Sequence, residues 1–91
     1  MNNKQRKKLS AERARLETAH DTIESVREAV EEMYGEENDK YNNLPESLQE
    51  SEKGMTMEEI ADMLCDIASD LDDVSCLLSD AIGSIEEVIS R

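Results

Sequence analysis

The stretch "KYNNLPESLQESEKGMTMEEI", Lys40 to Ile60, decides the fold, because it interrupts a chain that otherwise reads as two long helices. A purely flexible linker is rich in Gly and Ser, but this one carries Tyr41, Leu44, Pro45 and Leu48 among Asn, Ser and Glu. Asn43 and Glu46 have capping-box spacing, and Pro45 falls in a first turn, where its missing N–H does no harm. Leu44 and Leu48 then lie one turn apart on one face. "NNLPESLQ" therefore reads as a short ordered turn that docks its leucines onto the helices, and "SEKG" as a flexible link. Two uses stay open: the anchors fix the angle between the helices, or Tyr41, Leu44 and Leu48 form a docking knuckle for a partner.

Beyond the break, Met57, Leu64, Leu71, Leu78 and Ile85 recur every seven residues, with Ile60, Ile67, Val74, Ala81 and Val88 three later. These are heptad positions a and d, held for five heptads without a slip. Thr56 and Glu59 again have capping-box spacing, so a helix is predicted over 56–90. Before the break, Leu9, Leu16, Ile23 and Val30 take a, while Glu12, Ala19, Val26 and Met33 take d. Tyr34 and Tyr41 flank that seam, which carries a predicted first helix over 9–42. Gly35 inside it costs about 1 kcal/mol relative to Ala, and a kink or stop there is the alternative. Residues 1–8 read as a basic flexible tail and 43–55 as the connector of a single domain.

Two helices of ~34 residues are each about 50 Å long. Folded back on each other they give an all-α antiparallel hairpin. Its expected seam is Leu16, Ile23, Val26 and Val30 on one arm, with Ile60, Leu64, Ile67, Leu71, Val74, Leu78 and Ile85 on the other. Met63, Leu77, Ile82 and Ile89 widen the second stripe beyond a two-stranded seam. A homodimer that closes a four-helix bundle is the simplest cover, and docking onto a different protein is the alternative.

Composition agrees with helices. The 91 residues include two Tyr and no Phe or Trp, so the largest contributors to a globular core are missing. No run of eighteen apolar residues spans a membrane. The basic start "MNNKQRKKLSAERARL" lacks the apolar region of a secretory signal. Cys65 and Cys76 are eleven residues apart, roughly 16 Å along one helix, and cannot bridge within it. Reduced thiols and a cytoplasmic location are expected, with an intermolecular disulfide as the alternative.

Charge is the unusual feature. Through Arg15 the chain has six basic residues against Glu12, whereas from Leu16 onward it has four basic and twenty-two acidic ones. Position c of the second helix is acidic in every heptad: Glu59, Asp66, Asp73, Asp80 and Glu87. Glu58, Asp72 and Glu86 stand beside it at b, and Asp62 at f extends the patch. Such a stripe repels nucleic acid and is steered toward basic clefts. It also has a plain account as a solvated, solubilising face.

Chemistry is sparse. His20 is the lone histidine, without a second ligand at zinc spacing. The three scattered glycines build no phosphate loop, and "DLDD" at 70–73 lacks the glycine and spacing of a calcium loop. No enzyme, cofactor or metal site is expected.

"YNNLPESLQESEKG", followed by an acidic heptad helix ending "DAIGSIEEVI", resembles small acidic helical proteins of phages and integrated mobile elements of Gram-positive bacteria. The likeness covers Tyr41 to about Ile89 and is strongest over "NLPESLQ". It implies a genomic context in which small acidic accessory proteins commonly block host nucleases or other DNA-dependent defences. Three functions follow as expectations. The first is a DNA-mimicking inhibitor, of anti-CRISPR or anti-restriction type, that occupies the nucleic-acid cleft of a host enzyme. The second is a self-assembling scaffold, and the third a sponge for a small anionic signal.

Overall fold

The computed structural model describes all 91 residues, Met1 to Arg91. Two long helices, α1 (Asn3–Asn42) and α3 (Glu52–Ser90), pack antiparallel across a single turn of helix, α2 (Glu46–Gln49). The rod measures 68 × 14 × 14 Å between Cα atoms. Its radius of gyration is 20.2 Å, against about 12 Å for a globular domain of this length.

α1 begins six residues before Leu9. Asn2 Oδ1 accepts from Gln5 N at 2.8 Å while Gln5 Oε1 accepts from Asn2 N at 3.2 Å. This closed capping box, together with Lys, Arg and Gln as good helix formers, makes residues 3–8 helical rather than a flexible tail. The helix runs through Gly35 without a break and ends where Asn43 N–H bonds to Asp39 O at 3.0 Å.

The connector also departs from its expected form. Asn43 terminates α1, so the Asn43–Glu46 box does not form, and Pro45 precedes α2 as its cap without a side-chain bond. α3 starts at Glu52 because Ser51, not Thr56, caps it: Ser51 Oγ accepts from Gly54 N at 3.3 Å. Thr56 Oγ1 instead donates back to Glu52 O at 2.9 Å. "SEKG" is therefore the entry into α3, not a flexible link. Gln49 Nε2 donates to the carbonyls of Tyr41 (3.2 Å) and Leu44 (3.1 Å), tying the corner to the end of α1. Gly54 is buried there, and a Cβ on it would come within 2.5 Å of Gln49 O and closer still to Leu48 O. Only a residue without a side chain lets α3 leave so tightly against α2.

The seam uses heptad positions a and e rather than a and d. Leu16, Ile23 and Val30 from α1 meet Leu64, Leu71, Leu78 and Ile85 from α3, all partly buried. The d residues Val26, Ile60, Ile67 and Val74 lie beside this contact and are exposed by 41–45%. The cause is a complementary pair of e lines. On α3 the e line reads Gly54, Ala61, Ala68, Ser75, and these are the four buried residues of the chain. On α1 the e line reads His20, Arg27, Tyr34, Tyr41, all large and partly buried. His20 meets Ser75, and Arg27 and Tyr34 close over Ala68. A heptad of small residues accepts a heptad of large ones running the other way, which fixes the register in steps of seven.

Candidate functional site

The hairpin presents three features that bear on function: a polar layer in its seam, an acidic outer edge, and an apolar face. The polar layer centres on Ser75, which is only 3% exposed. Its hydroxyl donates to Glu24 and lies 3.0 Å from His20 Nε2, with Ser79 Oγ 3.2 Å from the same nitrogen. Since Ser75 donates to the carboxylate, the ring nitrogen acts as donor toward the hydroxyl oxygen. Arg27 grips both Glu24 (2.6 Å) and Glu31 (2.7 Å). The Ser75 hydroxyl, with Arg27 next, holds the Glu24 carboxyl below the usual carboxylate range. The same pair of carboxylates pushes the Arg27 guanidinium up.

Ser, His and Glu together invite comparison with a nucleophilic triad, but the roles do not fit. Glu24 accepts the serine hydroxyl's hydrogen bond itself instead of orienting the imidazole, whose Nδ1 faces Asp21 at 3.6 Å. The hydroxyl is sealed in the seam, and the surrounding backbone N–H groups are spent within α1 and α3. The layer satisfies buried polar groups and fixes register.

All nine stripe carboxylates, Glu58, Glu59, Asp62, Asp66, Asp72, Asp73, Asp80, Glu86 and Glu87, are exposed on α3. The c residues Glu59, Asp66, Asp73, Asp80 and Glu87 occupy the line farthest from α1, spanning about 42 Å. Only Glu87 has a cationic partner, Arg91 at 2.7 Å. Glu58, Asp72 and Glu86, at b, turn toward the flank where Glu24 and Glu31 of α1 also lie. Arg27, Glu31, Tyr34, Cys65 and Asp72 line an open groove of about 590 Å³ on that flank. Both cysteines are exposed and unbridged.

Because the b residues of both arms share one side of the antiparallel pair, the d residues share the opposite side. Val26 and Met33 of α1 thus join Ile60, Ile67, Val74 and Val88 of α3 in a single apolar face, with Met63 and Leu77 from position g. Met63 and Leu77 are the most exposed of these, at 63% and 68%. Sequence reading placed the d residues in the seam because heptad periodicity gives a stripe without saying which of its two edges turns inward. The signal for the inner edge was the small-residue line Gly54, Ala61, Ala68, Ser75.

The proposed knuckle is divided. Tyr41 and Leu44 are partly buried at the corner, whereas Leu48 is half exposed. Partial burial, with the Glu58 and Glu50 carboxylates nearby, pushes the Tyr41 phenol up. No helix is long and apolar enough to cross a membrane. No protein-family model, curated protein or solved structure matches the chain.

Proposed function

We propose that this chain is a non-enzymatic interaction protein that lays the carboxylate edge of α3 into the basic, nucleic-acid-binding cleft of a host enzyme, of the kind that defends a bacterium against foreign DNA. The observation that carries the reading is the run of nine exposed carboxylates on one straight helix, eight of them without a cationic partner. Nine charges over about 42 Å give roughly one per 5 Å, against one per 3.4 Å along a nucleic-acid strand. The helix holds five of them, at c, in one line and the other four beside it before binding, so little order is lost when a cleft closes on them. An ordinary surface helix mixes signs for the sake of i,i+4 pairs; α3 forgoes them between Gly54 and Ser90.

The test is capture from a Gram-positive bacterial lysate on the tagged full chain, washed at low and then high salt. A nucleic-acid-binding protein that is held at low salt, released by high salt and blocked by added duplex DNA supports the reading. Its loss with Asp66→Asn, Asp73→Asn and Asp80→Asn combined, with helicity intact, assigns the contact to the stripe. Retention of that protein by the triple variant overturns the assignment. A second reading, a self-assembling scaffold, is favoured by the apolar face and predicts that the chain retains only itself.

A further inference from the structure

The hairpin leaves its own apolar side chains poorly covered. No large side chain in the chain is fully buried, and eight large apolar residues of α1 and α3 are exposed by more than 40% along the d and g lines of one face. We propose that a second copy of this chain covers that face, packed head to tail about a two-fold axis passing α1 at Thr22. The result is a four-helix bundle with α1 against α1 and α3 against α3 of the partner. This inference is independent of the cleft-binding role above.

Area is sufficient. A face 68 Å long and 14 Å wide offers on the order of 900 Å² per copy, in the range of the ~800 Å² per partner of a stable interface. Charge then selects the direction. The open half of the hairpin, residues 1–20 with 76–91, holds seven basic and five acidic side chains. The connector half, residues 21–75, holds three basic and eighteen acidic ones. Packing connector against connector stacks a charge of −15 on its like. Head-to-tail packing sets each connector half beside a half of charge +2. Screening over roughly 8 Å leaves such local juxtapositions as the electrostatic forces that matter.

The residues agree with that direction. The g line of α1 reads Lys8, Arg15, Thr22, Ala29, Glu36, with opposite charges at equal distances from Thr22. Thr22 is also the midpoint of Asn3–Asn42. A two-fold there sets Lys8 opposite Glu36 of the partner subunit and Ala19 opposite Val26 of the partner subunit. On α3, where residue 73 lies level with Thr22, it sets Ile67 opposite Leu77 of the partner subunit, and Met63 opposite Ala81 of the partner subunit. All neighbouring helices then run antiparallel, as in up-down bundles. In the parallel arrangement α1 lies on the partner's α3, and Lys8 loses its acidic counterpart.

Sedimentation equilibrium of the full chain at 10–100 μM, roughly, in 0.15 M salt tests this directly. Twice the 10.3 kDa chain mass is expected; a monomer with native helicity at every concentration overturns the proposal. Leu77→Glu is expected to yield monomer. Since a charge at Leu77 also bears on folding, direction is read on a second set. Lys8→Glu reverses two symmetric ion pairs and is expected to weaken the dimer about tenfold, and Lys8→Glu with Glu36→Lys to restore it. In a Cys65→Ser, Cys76→Ser background, Thr22→Cys is expected to form a disulfide dimer on oxidation. A dimer that neither cross-links through T22C nor responds to the charge exchange refutes the head-to-tail packing.

Discussion

Replacing each of the three glycines by alanine, one at a time, sets two opposing effects against each other in one molecule. Gly35 and Gly83 lie within helices with open space where a Cβ would stand. Alanine there brings only its propensity, about 0.8–1 kcal/mol per site. A protein of 91 residues unfolds with an entropy of roughly 0.19 kcal/mol per kelvin, so 1 kcal/mol moves Tm by about 5 °C. Gly35→Ala and Gly83→Ala should each raise Tm by about 4–5 °C. At Gly54 the same Cβ would lie within 2.8 Å of three backbone atoms of Leu48 and Gln49, none of which can swing aside as a side-chain tip does. Overpacking of this kind costs about 1–3 kcal/mol. A clash with fixed backbone belongs at the upper end, leaving a net loss of about 2 kcal/mol and a fall of about 10 °C. Circular dichroism at 222 nm through a thermal melt, at one fixed chain concentration, reads all three. If Gly54→Ala raised Tm as much as the other two, the corner could not be the tight contact described, and the account of the connector would fail.

Other outcomes follow from the seam. Ala68→Leu drives a larger side chain against Arg27 and Tyr34 and should lower Tm by about 5–15 °C, whereas Ser69→Leu, one residue on and exposed, should change it by no more than about 2.5 °C. Glu24 has a lowered folded-state pKa, so its stabilisation is complete above the unfolded value of 4.5 and is lost as pH falls through the lower folded value. Urea titrations should accordingly show a stability gap between wild type and Glu24→Gln at pH 7 that closes progressively below pH 4.5. With Tyr34→Phe leaving Tyr41 as the sole tyrosine, absorbance at 295 nm should rise with a midpoint above the ordinary 10.0.

Much of the fold was legible in the residues. The seven-residue return of Leu64, Leu71 and Leu78, and the break at Leu44-Pro45, suffice for two antiparallel arms. What misled was the choice of companion line. Ile60, Ile67 and Val74 are more apolar than Ala61, Ala68 and Ser75, and hydrophobicity alone ranks them as core. Close approach of two helices rewards small side chains as well as oily ones, and that preference shows only when the opposing His20, Arg27 and Tyr34 are read beside them. The helix starts were missed for a related reason. Asn2 and Ser51 cap as effectively as the expected Thr56, and several cap-competent residues near one boundary leave the choice to tertiary contacts such as that of Gly54. The carboxylate line was read correctly as exposed because acidic side chains opposite a seam have nowhere else to go.

The pairing of large and small e residues also orders the hairpin in time. Tyr41 and Gly54 are thirteen positions apart in the chain, Arg27 and Ala68 forty-one, His20 and Ser75 fifty-five. Closing the shortest loop first costs the least entropy, and each closed rung brings the next within reach. Assembly then proceeds as a zipper from the corner toward the termini, seven residues to a rung. Dissolution runs backwards, so amide exchange should be fastest at the ends of α1 and α3 that meet at the open mouth and slowest beside Gly54. A load applied between Asn3 and Ser90 would peel the arms apart rung by rung, with the corner the last to yield.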